Sequence, residues 1–226
     1  MQRYNSFNLI HKALRSMLYD TALTLQQTYF ADIDETENVL EKIEAVLFVF
    51  EQHAHHEDAF IFPAVHPYEP ALVDEFEKEH ATDISLANKL KNLLNIYRYS
   101  NFTEERINAG FAICKSFTDF MIFNLEHMGK EEIMINQALW KHYTDEQILE
   151  INKKLVATIP ADEVAATSKW MLRSINEAEA IAWFKNIKKD APAFVLQSLF
   201  DMAENELQAE RFRKIQEGVM DEYVLV

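Results

Sequence analysis

The stretch FEQHAHHEDAFIFP, residues 50–63, sets a histidine and a glutamate into an apolar helical repeat. His53 and Glu57 are four residues apart, so an α-helix brings both side chains onto one face, about 6 Å apart. Apolar residues precede this pair at steps of three and four, the spacing of a helix that packs in a bundle. These residues are Val39, Ile43, Val46 and Phe50. The stretch therefore predicts a buried helix face that presents one imidazole and one carboxylate.

The two ends of this second helix have separate signals. Asp32, Asp34 and Thr36 are alternative N-caps, because their side-chain oxygens can accept from the free N–H groups of a helix start. Pro63 predicts the end of the helix, since proline has no N–H and its ring clashes with the preceding turn.

A second copy of the pair, His127 and Glu131, lies in a predicted fourth helix that begins at the cap Thr103. The first helix, about residues 6–30, contributes His11, and the third contributes His80. In each helix these polar residues share the register of apolar ones. The predicted inward residues are Phe7, Leu14, Leu18, Ala22 and Leu25 in the first helix, Val73, Phe76, Ile84, Ala87 and Leu94 in the third, and Ile107, Cys114, Phe117, Phe120 and Met134 in the fourth.

The six polar residues also share a depth along the predicted bundle. In an up-down-up-down arrangement the starts of helices 1 and 3 meet the ends of helices 2 and 4. His11 and His80 lie near helix starts, and the two His/Glu pairs lie near helix ends. With a rise of about 1.5 Å per residue, all six lie at a similar height along the bundle axis, in one layer near one end.

Two carboxylates buried in one layer need a compensating charge, since each costs several kcal/mol of desolvation. Divalent metals accept imidazole nitrogen and carboxylate oxygen together, and a glutamate can bridge two ions. Ligation by nitrogen and oxygen without thiolate favours iron or manganese, while zinc, cobalt or nickel can substitute in a purified sample. The sequence therefore predicts two metal ions, iron first, and neither a catalytic residue nor an organic cofactor. The predicted ligands are His11, His53, Glu57, His80, His127 and Glu131.

The composition predicts an all-α, cytoplasmic protein. Only 3 Gly and 5 Pro occur among 226 residues, too few for many tight β-turns. A formal net charge of −15 disfavours nucleic acid and anionic membranes as partners. The single cysteine, Cys114, excludes an internal disulfide and a thiolate-rich zinc site, and no apolar run has the length of a signal peptide or a membrane span.

Beyond about residue 140 the pattern changes to shorter helices. We expect a four-helix bundle over residues 1–140 and a helical extension of about three to four helices over residues 141–226. The boundary signals are a capping box at Thr144 and Gln147, Pro160, a second box at Asn176 and Glu179, and Asp190 with Pro192, after which a helix runs to Gly218 with or without a break. The aromatic residues of the extension are typical of a core, or of a surface that docks on a second copy or another protein. They are Trp170, Trp183, Phe184, Phe194, Phe200 and Phe212.

Several other residues have simpler interpretations. His55 should point outward, His56 should lie behind the ligands or at the surface, and His66 and His142 should be solvated. Cys114 is interpreted as a small core residue. The phenylalanines expected to fill the core are Phe48, Phe50, Phe60, Phe117 and Phe120.

On these residues the chain resembles the hemerythrin family, specifically the bacterial His-His-Glu cation-binding domains. The resemblance covers about residues 5–140. It rests on HKALR from His11, HAHHEDAFIFP from His53, Glu79-His80, and HMGKEE from His127. It implies an up-down four-helix bundle with a non-haem di-iron centre. In such a centre Glu57 and Glu131 would bridge the metals and the four histidines would be terminal ligands.

Two departures from the oxygen-carrying hemerythrins bear on the function. Their third helix offers two histidines four apart, whereas Phe76 and Ile84 flank His80 here. Their last carboxylate is an aspartate five residues after its histidine, whereas Glu131 follows His127 at four. One ligand fewer leaves an open position. This favours a centre that binds or senses dioxygen, nitric oxide, peroxide or iron status over an oxygen store, and leaves open whether the protein is an enzyme.

Two alternatives remain. A ferritin-like di-iron oxidase would carry Glu-x-x-His in two helices, but only Glu77 and His80 match, and Asn124 stands three residues before His127. A helical interaction module with a structural metal site would use the C-terminal helices to form a homodimer or to bind a protein partner.

Overall fold

Helices form nearly all of the chain in a computed structural model, which describes residues 3–221; no strand occurs in that range. The elements are α1 (Asn8–Gln27), α2 (Ile33–His56), a π-helical turn (Glu57–Ile61), α3 (Phe62–Val65), α4 (Pro70–Tyr99), α5 (Thr103–His142), α6 (Asp145–Val156), α7 (Ala161–Ser174), α8 (Glu177–Asp190), α9 (Ala193–Glu206) and α10 (Ala209–Met220). The prediction of an all-α bundle followed by shorter helices is confirmed. The shorter helices after α5 are α6 to α10. They exceed the expected three to four because the region predicted to run to Gly218 with or without a break is divided between α9 and α10.

The described residues divide into two compact units. Residues 3–7 and 17–158 form the first, and residues 8–16 and 159–221 form the second. Helix α1 therefore begins in the second unit and continues into the first, and α6 belongs to the first. The predicted domain boundary near residue 140 stays a prediction. None of the helices within residues 3–221 has the length and apolar character needed to cross a membrane.

Helix α2 starts as predicted but does not stop at Pro63. Asp32 is the N-cap, and its carboxylate accepts from the N–H of Glu35 at 3.0 Å. After His56 the helix widens for one π-turn, in which the N–H of Phe62 bonds to the carbonyl of Glu57. A wider turn relieves the clash between a proline ring and the carbonyl four residues earlier. The chain therefore stays helical through α3.

The inward face of α4 differs from the prediction at one position. Its buried residues alternate steps of three and four: Val73, Phe76, His80, Asp83, Ala87, Leu90, Leu94 and Tyr97. Asp83 is 6% exposed and Ile84 is 55% exposed. The prediction of Ile84 as an inward residue was wrong because it ranked apolarity above helical register.

Helix α5 shows a similar correction. Met134 is 37% exposed and Ile135 is buried in its place. On α2, Phe48 lies at the surface with 47% of its side chain exposed, so its assignment to the core was also wrong. Cys114 is half-buried rather than fully enclosed.

The second unit has an apolar core of its own. Phe184 and Phe200 lie at its centre with ring centroids 5.0 Å apart, and both are buried. In the same unit, Asn8 donates to a carboxylate oxygen of Glu179 at 2.9 Å. Phe194 is 71% exposed, so the expectation of a core role fails for this aromatic residue.

Candidate metal centre

The six residues singled out by the sequence fall into two overlapping groups. In each group every residue offers one ligand-type atom, and these atoms all lie within 4.8 Å of one another. One group is His11, His53, Glu57 and Glu131; the other is Glu57, His80, His127 and Glu131. The two glutamates are common to both groups, and each group has two histidines of its own.

The two oxygens of Glu57 face different histidines. Oε1 lies 3.1 Å from Nε2 of His53, one helical turn earlier on α2. Oε2 lies 3.5 Å from Nε2 of His80 on α4. Glu57 is the first residue of the π-turn and is only 2% exposed. A carboxylate in this position can bind two cations, one through each oxygen.

Glu131 is the counterpart of Glu57 on α5. Its Oε1 lies 3.3 Å from Nε2 of His127 and 4.0 Å from Nε2 of His80. The side chain of Glu131 is fully buried. Because Nε2 of both histidines points to the carboxylates, the ring nitrogens that remain point away from them.

Those remaining nitrogens have carboxylate partners outside the two groups. Nδ1 of His80 lies 2.8 Å from Oδ1 of Asp58, and Nδ1 of His127 lies 2.8 Å from Oε2 of Glu79. Lys130 donates to the other oxygen of Glu79 at 2.7 Å. Such partners fix the tautomer and orientation of a metal-binding histidine. The helical periodicity does not predict these contacts of Asp58, Glu79 and Lys130.

Phenylalanine rings cover the same histidines. Phe62 stacks on His80 with ring centroids 5.1 Å apart, and Phe123 stacks on His127 at 6.0 Å. Phe76 also contacts the ring of His127, at 5.6 Å. These rings displace water from the imidazoles, which strengthens electrostatic interactions among the buried groups.

A comparison with known protein families matches residues 4–139 to the hemerythrin HHE cation-binding domain. The chain belongs to this family. The match confirms the resemblance and favours hemerythrin over the ferritin-like alternative. Neither the curated proteins nor the solved structures contain a match to the chain. The His/Glu groups of this HHE domain are clusters that could hold its cations.

A small cavity of the HHE domain adjoins both glutamate-containing groups. The space open to the centre of a water molecule is about 10 Å³, which is room for about one water. Besides histidines and Glu57, two polar residues line it, namely Asp83 of α4 and Asn124 of α5. The amide of Asn124 donates to Oδ1 of Asp83 at 2.6 Å. Neither residue was assigned a role from the sequence, although both occupy inward positions of their helices.

Burial and charge shift the pKa values of this site in opposite directions. Burial disfavours the charged form of His127, but its hydrogen bond to Glu131 and the nearby carboxylates outweigh this and raise its pKa to about 9. For His80, burial again opposes protonation, and Glu57 and Asp58 raise the pKa above the usual value. Burial raises the pKa of the Asp83 carboxyl, although Asn124 and the histidine charges act against it.

The four remaining histidines lie outside both groups. His55 and His66 are exposed, as predicted, and His56 is half-buried. His142 is not solvated as predicted: its ring stacks on Tyr68 with centroids 4.0 Å apart.

Proposed function

We propose that this HHE domain binds two metal ions, iron in the first instance, and uses them to bind or sense a small ligand. The observation that carries the proposal is the sharing of Glu57 and Glu131 between two groups that each contain two histidines. Each ion would take two imidazole nitrogens and one oxygen from each glutamate. The ligands of one ion would be His11, His53, Glu57 and Glu131, and those of the other Glu57, His80, His127 and Glu131.

The charge of the site supports this proposal. When the imidazoles are neutral, as metal ligation requires, the two buried carboxylates leave a net charge of about −2 that must be compensated in a low-dielectric interior. Two divalent cations would supply the compensation, and nitrogen and oxygen donors without thiolate suit iron, manganese or zinc. Two metal ions bridged by carboxylates would supply redox or Lewis-acid chemistry to a ligand.

The size of the site supports a small exogenous ligand. Four protein donors leave positions open on an ion that prefers five or six, and the adjoining cavity has room for about one water-sized molecule. Dioxygen, nitric oxide and peroxide, with two heavy atoms each, are the proposed ligands. The proposed role is therefore binding or sensing of such a molecule.

Anaerobic titration with Fe(II), followed by removal of loosely bound metal and elemental analysis, tests the metal proposal. We expect about two irons per chain, because the ligand groups number two. Glu57→Gln and Glu131→Gln should each lose most of the iron, since each removes a carboxylate common to both groups. The matched controls Glu51→Gln on α2 and Glu126→Gln on α5 change exposed glutamates and should keep two irons. A wild-type stoichiometry near zero, or equal loss in the controls, would contradict the proposal.

A further inference from the structure

One wall of the cavity is formed by Asp83 and Asn124, which are not among the proposed metal ligands. Asp83 and Asn124 face each other across α4 and α5, and both are buried, at 6% and 3% exposed. The Nδ2 of Asn124 donates to Asp83 at 2.6 Å and also reaches the carbonyl of Phe120 at 3.1 Å. Because the amide nitrogen is engaged by these two acceptors, it holds the carboxylate of Asp83 in place.

Burying a carboxylate at an inward helix position costs desolvation free energy. An apolar residue there would avoid a desolvation cost of several kcal/mol. Asp83 belongs to neither of the two His/Glu groups, so direct ligation within those groups does not account for it. It does line the cavity beside His53, His80 and His127. Its position therefore points to the contents of the cavity.

Apart from the histidines and Glu57, Asp83 is the only ionisable residue among the described ones that line this cavity. Phe50, Ala54 and Met128 are apolar, and the amide nitrogen of Asn124 is already engaged. With two cations bound nearby, the ionised form of Asp83 is favoured. An ionised carboxylate accepts hydrogen bonds and donates none.

We propose that Asp83 makes this cavity selective for small neutral ligands that donate a hydrogen bond, such as water or hydrogen peroxide, and selective against small anions such as azide. The inference rests on the proposed di-metal function. A neutral O–H donor gains an acceptor in Asp83, and a bond to a charged acceptor is stronger than one between neutral groups. An anion in the same small space meets a like charge at low dielectric.

Azide binding to the iron-loaded protein tests the proposal. Wild type and Asp83→Asn are loaded with iron, shown to hold two irons per chain, and titrated with sodium azide while the optical absorption is followed. We expect Asp83→Asn to bind azide at least about tenfold more tightly, because a buried like charge has been removed. The amide is isosteric and its oxygen can still accept from Asn124. Asp83→Ser, which is smaller but equally neutral, should change the azide affinity in the same direction.

The controls separate charge from shape. Asp74→Asn removes the same charge from an exposed position of α4 and should change azide affinity by less than about twofold, since solvent screens exposed charges. Nitric oxide is neutral and donates no hydrogen bond, so its affinity for the reduced protein should change far less than that of azide in Asp83→Asn. A parallel gain for nitric oxide would assign the effect to a wider cavity and overturn the proposal.

Three further results are decisive. Unchanged azide affinity in Asp83→Asn and Asp83→Ser, with two irons retained, would overturn this inference and leave the proposed function standing. Loss of iron from both variants would make Asp83 part of the metal site and would also overturn it. A wild-type stoichiometry near zero would overturn the proposed function and the inference together.

Discussion

Two acidic residues outside the His/Glu groups determine how the histidines are presented. Asp58 and Glu79 each lie 2.8 Å from Nδ1 of a histidine, so Nε2 of that histidine is left for the shared glutamates. Their surroundings differ. The side chain of Asp58 is 47% exposed, whereas that of Glu79 is 17% exposed and is held by Lys130. Glu79 should therefore orient its histidine more firmly than Asp58 does.

This difference leads to a ranking of two conservative substitutions. Glu79→Gln should weaken iron binding by about ten- to a hundredfold, because it removes the charge that would support His127 in its proposed role as a ligand. Asp58→Asn should have a smaller effect, since solvent already screens that carboxylate. Affinity is measured by competition with a chelator of known strength. Glu77→Gln, an exposed change on α4, serves as the control. Equal affinities in Glu79→Gln and wild type would show that the hydrogen bond does not support the site.

At this scale the sequence indicates some residues of the candidate site and hides others. His53, Glu57, His127 and Glu131 were predicted because each is polar at an apolar position, and the two pairs share one spacing. Glu79 lies on the edge of α4, where a charged residue is ordinary. Glu79-His80 is part of the family resemblance, but the helical periodicity does not indicate that Glu79 contacts His127. Its role depends on the packing of α4 against α5, which the order of residues does not contain.

The helices show how far a register carries and where it fails. The buried residues of α4 follow steps of three and four and include Asp83. The buried residues of α5 include Asn124. The spacing of three and four residues, applied without regard to side-chain type, predicts both Asp83 and Asn124 as inward residues. Ile84 on α4 was predicted instead because it is apolar. The break between α9 and α10 was also only weakly signalled, because the N-cap residue Gln208 forms no side-chain capping bond. Periodicity therefore predicts helices and faces better than it predicts exceptions within them.

The π-turn permits a test of what maintains the geometry of α2. If the π-turn became a regular α-helix, Phe62 and Val65 would rotate about the helix axis by the angle of one residue, about 100°. Both would leave a core in which they are 1% and 2% exposed. Burial of two such side chains, at about 1.5–3 kcal/mol each, favours the π-turn over a regular helix. Pro63→Ala should therefore keep two irons and lower the free energy of unfolding by less than about 1 kcal/mol.

Insertion of one alanine after Ala59 is the contrasting change. It turns Phe62 and Val65 away from the core and should cost several kcal/mol in a urea titration. A greater loss of stability in Pro63→Ala than in the insertion would mean that the proline, and not the packing, maintains the turn.

Across the whole molecule, the site is a local concentration of titratable groups in a chain of formal charge −15. Without metal, the buried carboxylates favour protonated imidazoles, which is why the pKa values of His80 and His127 are raised. In the proposed metal-bound state the same imidazoles must be neutral to bind. Protons and metal ions would therefore compete for one set of nitrogens.

This competition sets the pH dependence of the folded protein. The pKa of His127 rises from 6.5 when unfolded to about 9 when folded, so its stabilising contribution is complete below pH 6.5 and is lost as the pH rises through 9. The metal-free protein should lose unfolding free energy across this window, at up to about 1.4 kcal/mol per pH unit for one proton. Over the same window the apparent affinity for iron or zinc should increase, because binding releases the proton. Urea titrations and chelator competition at pH 6.5, 7.5 and 8.5 measure both trends. His127→Gln should flatten the stability trend, and metal-free stability that rises with pH in the wild type would contradict the assigned charge state.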